Sequence, residues 1–391
     1  MELKLLVDSA EFWSTLARDL AAARSSVRVQ TLSYEADSAG TLLEQALLAS
    51  PAADRRLIID CFTLHVISDR LLVTPRNLLD RGLRAEVRAT SESVQRLRRA
   101  GVGVRFTNPI GPWLTGAPQR NHKKLMAVDG RAAYFGGINF SAHNFAWRDV
   151  MVRVADADLV AHLEADFDAS WHGRHQSRVL RFKDLDMHIL GGADNERAFK
   201  PILAHLAEAR ESIFVECPYL TPPFSHALVA AARRGVDVTV VTPAKNNFSM
   251  YYHHVRGCGA VSPLQVRLYP GRMTHMKAML VDGRTLIVGS ANFDLWSYHF
   301  QQEYVAVIRD PALVADFRAR VVEPDLAVSA PPDRPHPAWK GRLADWQLRA
   351  LEAITLRFSR PRADGSSAGR DQAGDATAGD PSVATPGDST S

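Results

Sequence analysis

Short apolar runs separated by amphipathic stretches govern how this chain is read. Apolar positions over residues 3–7 predict a strand, and Phe12, Leu16 and Leu20, spaced for one helix face, predict a helix over 10–23. A strand at 27–34, a helix capped near Asp37 and Ser38 and running to Leu48, and the continuous apolar run 57–62 of a buried strand come next. A basic-faced helix at 91–100 leads to a strand at 102–106. The second half repeats the order, with strands at 186–190, 212–216, 236–241 and 266–269 and helices over 196–210 and 223–234. Strands alternating with helices predict an α/β body with a largely parallel sheet.

After residue 330 the pattern changes. The stretch PPDRPHP is a break, and beyond it Trp339, Leu343, Trp346, Ala350, Ile354 and Phe358 recur at helical spacing among Arg342, Arg349 and Arg357. We expect a helix whose apolar stripe docks on the core, with contact to a membrane surface as the alternative. Residues 361–391 are Gly, Ser, Ala, Thr, Asp and Pro with almost no apolar bulk, a composition that predicts disorder. The expected divisions are 1–180, 181–330, a linker and helix at 331–360, and the tail at 361–391.

One stretch occurs twice. Laid on 274–293 without gaps, residues 121–140 match at ten of twenty positions, among them His122/His275, Lys124/Lys277, Asp129/Asp282 and Asn139/Asn292. A bare fold repeat keeps apolar and glycine positions; this one also keeps a histidine, a lysine, an aspartate and an asparagine in register. Each copy reads as a β-hairpin with an Asp-Gly turn. On a strand, residues two apart share a face, so each copy sets an imidazole beside an ammonium. The cation keeps the imidazole neutral and nucleophilic and suits a phosphate oxygen. With two such sites facing each other, one histidine can attack phosphorus while the other protonates the leaving oxygen. Asp129 and Asp282 read equally well as turn residues. Asn139 and Asn292 are expected to contact phosphate. His253 and His254 have no counterpart in the first half and are expected at the surface or in a substrate groove, and Cys217 is expected to be a buried small residue.

Composition narrows this little. With 46% hydrophobic and 23% charged residues the chain is ordinary for a globular protein. Its formal charge is +4; without the acidic tail, residues 1–360 carry about +7, which suits an anionic partner. The three cysteines lack metal-ligand spacing, so neither zinc nor a disulfide framework is expected. No signal peptide or spanning segment is read.

The doubled HxKxxxxD, at His122-Lys124-Asp129 and His275-Lys277-Asp282, resembles the phospholipase D superfamily over roughly residues 25–325. HKKLMAVDGRAAYFGGINFS, WRDVMVRV, CPYLTPP and HMKAMLVDGRTLIVGSANFDLWS are most similar to bacterial cardiolipin synthases. The resemblance implies two duplicated α/β/α sandwich lobes related by a pseudo-twofold, with one active site between them. It implies phosphatidyl transfer through a phosphohistidine, with His122 the nucleophile and His275 the general acid/base. Glu303 would orient His122 and Asp149 would orient His275. No cofactor or metal is expected. The expected partner is anionic phospholipid, with the chain a cytoplasmic monomer held peripherally at the membrane's inner face; hydrolysis to phosphatidic acid is the alternative, and nucleic acid a lesser one. Trp113 and Leu114, and the run Phe248, Tyr251, Tyr252, are candidate lipid contacts.

Overall fold

Each motif leads into a strand that is buried at every position, Leu125–Val128 in the first half and Ala278–Val281 in the second. The computed structural model describes residues 1–111 and 116–358 and shows why both strands are apolar throughout. Leu125 and Ala127, with Ala278 and Leu280, enter a core shared by the two halves. Met126 and Val128 face a core private to the first half, and Met279 and Val281 one private to the second. Side chains alternate across a strand, so a sheet covered on both faces needs apolar residues at both parities.

The first sheet runs Glu2–Val7, Val150–Ala155, Ala132–Gly136, Leu125–Val128, Ser26–Thr31, Asp54–Asp60, Gly103–Thr107. The second repeats that order as Leu185–Leu190, Glu303–Ile308, Thr285–Gly289, Ala278–Val281, Ser212–Glu216, Asp237–Pro243, Gln265–Tyr269, with Arg178–Arg181 added outside the first of these. Outer helices such as Asp8–Ala22 and Ser38–Ala49 cover one side, and Lys200–Glu208 and Phe224–Arg233 the other. Ala157–Trp171 and Pro311–Phe317 fill the shared layer between the sheets.

The expectation of a largely parallel sheet is corrected. Only Ser26–Thr31, Asp54–Asp60 and Gly103–Thr107, and their three counterparts, run parallel. The remaining neighbours are antiparallel. Within them each motif strand returns directly through a tight Asp-Gly turn, with three residues between the paired positions, and only antiparallel strands can be joined so tightly. Asp129 and Gly130 have φ of 54° and 64°, Asp282 and Gly283 of 48° and 63°, the left-handed pairs that such a turn requires.

Three local readings also change. The helix expected over 196–210 is split into Asn195–Ala198 and Lys200–Glu208, with Pro201 in the first turn of the second. A helix absent from the sequence reading, Ser249–Val261, buries His254 at the floor of a groove that is separate from the two motif histidines, not at the surface. The C-terminal helix Ala338–Phe358 docks on it, but not through the expected stripe. Ala344 and Leu348 are buried, and Gly341 meets Gly257 so closely that a Cβ on Gly257 would lie 3.1 Å from the Gly341 Cα. Trp339, Leu343, Trp346 and Ile354 are exposed. The small residues permit the closer approach, so they face inward and the bulky ones outward. Trp113 and Leu114, the Phe358 side chain and the tail at 361–391 lie outside the described residues.

Candidate active site

The segments that carry the two histidines cross between the halves. Asn121 forms a parallel bridge with Gln302, and Thr274 one with Arg148. The His122 amide donates to the Gln302 carbonyl at 3.0 Å, and the His275 amide to the Arg148 carbonyl at 2.7 Å. Each histidine therefore sits one residue from a bridge whose partner is followed, one residue on, by a carboxylate, Glu303 at the start of its strand and Asp149 just before Val150–Ala155. His122 Nδ1 lies 2.9 Å from Glu303 Oε1 and 3.0 Å from Oε2, and His275 Nδ1 lies 2.8 Å from Asp149 Oδ2. All four side chains are buried.

The two dyads are not equivalent. Burial alone pushes the Glu303 carboxyl up, but His122, Lys124 and the Ser290 hydroxyl outweigh it and hold Glu303 below its ordinary value. Ser290 Oγ donates to Oε2 at 2.5 Å and Ser297 Oγ to Oε1 at 2.8 Å. Among the described residues the Asp149 carboxyl accepts only the Val150 amide besides its histidine, and burial, against the pull of Lys277, raises it to about 7. The position matching Ser290 is Gly137, where a Cβ would stand 2.3 Å from Asp149 Oδ1. The aspartate's carboxyl thus occupies the space where the second half has a serine side chain. An ionised Glu303 can only accept, so His122 carries its proton on Nδ1 and keeps a lone pair on Nε2.

Both imidazoles are held neutral. Burial, opposed by Glu303 and reinforced by Lys124, lowers His122 to about 4; burial, Lys277 and Lys124 take His275 well below 6.5. The lysines are lowered in turn by burial, Lys124 to about 7 and Lys277 to about 8. Lys124 Nζ donates to the His122 carbonyl at 2.8 Å, and Lys277 Nζ lies 2.9 Å from both ring nitrogens of His275.

His122, His275, Asn139 and Asn292 share the wall of one cavity of about 520 Å³. Its remaining surface is rich in apolar groups, including Leu32, Phe62, Tyr219, Met250 and Trp296. Asn292 Oδ1 has no partner among the described residues, whereas Asn139 is engaged by Thr31 and Asn144. Lys124 and Lys277 are buried beside their histidines, with Lys277 Nζ 2.9 Å from both ring nitrogens of His275. One expectation is corrected here. Asp129 and Asp282 do not reach the cavity at all. Asp129 accepts the amides of Arg24, Ser25 and Ser26, and Asp282 those of Arg210, Glu211 and Ser212, which tie each hairpin turn to the start of the neighbouring strand. Asp129 falls to about 2 because those amides overcome the cost of burial. Both are turn clamps, not reacting groups.

The sequence reading missed several neighbours. Trp147 tilts over His275 with ring centroids 4.8 Å apart, and Arg120, paired with Asp60 at 2.8 Å, forms part of the cavity wall. Ser290 was legible as one of two differences between GGIN and GSAN, the one that adds a hydroxyl; Trp147 and Arg120 had no comparable signal.

The family described as cardiolipin synthase, PLD-like domain, matches residues 16–171 and 202–322. Cardiolipin synthase A of Salmonella paratyphi A is 25% identical over 354 residues, covering 81% of this chain and 68% of that protein. The minor cardiolipin synthase of Bacillus subtilis is 27% identical over 292 residues, covering 66% and 70%. In three dimensions the chain is similar to the phosphatidylserine synthase of Haemophilus influenzae, with a TM-score of 0.66 and 15% identity over 91% of this chain and 95% of that one. With its duplicated sheets and paired motifs inside the matched segments, the chain belongs to the PLD-like cardiolipin synthase family.

Proposed function

We propose that this protein is a phosphatidyltransferase that joins two phosphatidylglycerol molecules into cardiolipin and releases glycerol. The observation that carries this reading is the crossed pair of His–carboxylate dyads of unequal charge in one apolar-walled cavity. His122 Nε2 attacks the donor phosphorus, the P–O bond to glycerol breaks, and His275 gives that oxygen its proton. The Asp149–His275 pair can hold this proton near neutral pH, since Asp149 is raised to about 7. Within the pair the carboxyl is the stronger seat for the proton; a phosphodiester offsets the two lysine charges and favours its transfer to the imidazole. His275, now neutral, takes the proton of the acceptor hydroxyl. The acceptor oxygen attacks phosphorus, the P–N bond breaks, and His122 is restored. Asn292, on the cavity wall, can donate from Nδ2 to the phosphoryl oxygens, and the lysines stabilise their charge.

The lipid substrate implies work at a membrane surface, and no described helix is long and apolar enough to cross a membrane. We place the protein peripherally on the cytoplasmic face, acting as a monomer whose two halves mimic a dimer. Incubation with phosphatidylglycerol vesicles, alongside a labelled single-stranded oligonucleotide, tests the reading. Cardiolipin with glycerol is expected. Phosphatidic acid would assign hydrolysis instead, and a cut oligonucleotide with unchanged lipid would refute the reading. His122→Ala is expected to abolish both turnover and any covalent phosphoprotein.

A further inference from the structure

The exposed apolar side chains of this protein are not scattered. Ten of the fifteen large ones among the described residues belong to three segments that border the mouth of the active-site cavity. Leu64, Leu71, Val73, Leu78 and Leu79 come from a flap built by the two-stranded ribbon Val66–Ile67 and Arg70–Leu71 and the short helix Pro75–Leu79. Phe248 precedes the helix Ser249–Val261, and Trp339, Leu343, Trp346 and Ile354 form a stripe along the C-terminal helix. Leu71 is 47% exposed and Phe248 55% exposed, yet both line the cavity, so they stand on its lip. Leu351 brings one turn of the C-terminal helix to the same wall, and Asn247 Nδ2 lies 3.4 Å from Asp69 Oδ2 of the flap, so the flap, the Phe248 segment and that turn meet at one opening, from which the stripe extends along the helix.

The C-terminal helix is amphipathic twice over. Its docked residues Gly341, Ala344, Leu348 and Thr355 lie roughly 140° around the axis from the exposed stripe, by the 3.6-residue turn of a helix. Charge is sorted as well. The acidic side chains turn to the body of the protein: Asp345 accepts from His254 at 2.6 Å and Glu352 from His299 at 2.8 Å. Arg342, Arg349 and Arg357 remain exposed near the stripe. On the flap side Arg76, Arg81 and Arg84 are exposed, while Asp80 is paired with Arg70.

We propose that this lip is a bilayer-docking face: the flap and the outer stripe of the C-terminal helix seat their apolar side chains in the interface of an anionic phospholipid layer and hold the cavity mouth against it. Cations flanking tryptophan and leucine are the side-chain set that partitions into the headgroup and acyl boundary of an anionic membrane. The placement argues for a bilayer and against a second copy of the chain, because a protein seated on both strips would cover the route into the cavity that the lip residues mark. Substrate instead leaves the layer beside Leu71 and Phe248 and reaches the histidines without crossing water. The phosphatidyltransfer reading supplies only the class of lipid; the exposed strips and their charge stand apart from it.

Sedimentation of the full chain with phosphatidylglycerol and with phosphatidylcholine vesicles tests the face directly. The pairs Trp339→Ser with Trp346→Ser and Leu78→Ser with Leu79→Ser touch neither dyad nor the cavity wall. Each pair is expected to weaken binding to phosphatidylglycerol vesicles by about tenfold or more, and added salt to weaken the wild type further. Turnover of a short-chain phosphatidylglycerol, dissolved as monomers, is expected to stay within about twofold, and the pair Trp339→Phe with Trp346→Phe to keep vesicle binding. Unchanged vesicle binding in both serine pairs would overturn the proposal. So would an equal loss on the monomeric lipid, which would make the residues structural, or a fall from dimer to monomer mass on substitution, which would make the stripe a contact between copies. If the wild type binds vesicles through these residues but turns over no phospholipid, the docking face stands and the activity reading fails. Turnover on vesicles that ignores these residues defeats the docking face alone.

Discussion

The unequal charge of the two dyads predicts that their carboxylates fail differently when neutralised. Glu303→Gln keeps the shape of a fully buried group but removes the charge that holds His122 Nδ1 at 2.9 to 3.0 Å. The attacking imidazole becomes cationic in the transition state, so the loss is that of a charge-assisted hydrogen bond, about 1.5–3 kcal/mol, or roughly 10- to 150-fold in rate. Asp149→Asn removes a group raised to about 7 and therefore only partly ionised near neutral pH. What it removes is the seat of the proton that His275 delivers to the leaving oxygen. A lipid carrying a p-nitrophenyl leaving group needs no such proton, so the Asp149→Asn variant is expected to recover most of its phosphohistidine formation on that substrate and the Glu303→Gln variant to recover almost none. Rapid-quench trapping of the phosphoenzyme with the natural and the activated lipid measures both. Rescue of Glu303→Gln instead would invert the roles of the histidines. Equal behaviour of the two variants would mean that the charge asymmetry has no part in the chemistry.

The pH profile of kcat/KM, which reports the free protein, should have an acid limb near 4, where His122 takes up a proton, and an alkaline limb between 7 and 8, where Lys124 and Lys277 lose theirs; a single limb near 6.5 would show that the imidazoles are not buried as described. Gly137→Ala should cost as much activity as Asp149→Asn, because the new Cβ would stand 2.3 Å from Asp149 Oδ1, while thermal melting shows the fold intact. Asp129→Ala should do the reverse, lowering stability by about 1–3 kcal/mol through the stranded amides of residues 24–26 and leaving kcat/KM of the folded protein unchanged. His254 is raised to about 9: burial would lower it, but its bonds to Asp345 and Cys258 win. The folded state therefore favours the protonated imidazole, a contribution complete below about 6.5 and lost as pH rises through 9, worth at most about 3 kcal/mol before screening at the half-exposed Asp345. Hydrogen exchange in residues 338–358 should quicken across that window, and in the His254→Ala variant should already be fast at pH 6.

How much of this was legible in the sequence depended on whether the information was local. The motif strands, the Asp-Gly turns and the repeat are short-range facts, and the structure keeps them within a residue or two. The pairing of Glu303 with His122 and of Asp149 with His275 came from resemblance, because the bridges Asn121–Gln302 and Arg148–Thr274 that enforce it join residues far apart in the chain. Periodicity misled where two faces of one helix competed. Trp339, Leu343 and Trp346 are the stronger apolar stripe, yet Gly341, Ala344 and Leu348 make the contact, because close approach to Gly257 needs small residues. The sheet direction was misjudged because strands alternating with helices suggest parallel neighbours, whereas the hairpin strands around each motif enter the same sheet antiparallel.

The duplication itself explains why the site is asymmetric. Two identical halves would present two equal dyads, each as ready to attack as to protonate, and in-line displacement needs one of each at the same moment. The departures that separate them are small and lie outside the motif. Gly137 replaces the serine found at 290, so Asp149 lacks the hydroxyl that Glu303 receives and settles near neutrality. Ser297 adds a second hydroxyl to Glu303 alone. Ser290→Gly should therefore move the second dyad toward the first: Glu303 rises, the acid limb of the pH profile climbs with it, and the preference for His122 as nucleophile narrows. Trapping followed by mapping of the phosphorylated histidine reads this out. A variant that still places all its phosphate on His122, with an unmoved acid limb, would show that the choice of nucleophile is made elsewhere, by the position of the lipid and not by the hydrogen bonds behind the histidines.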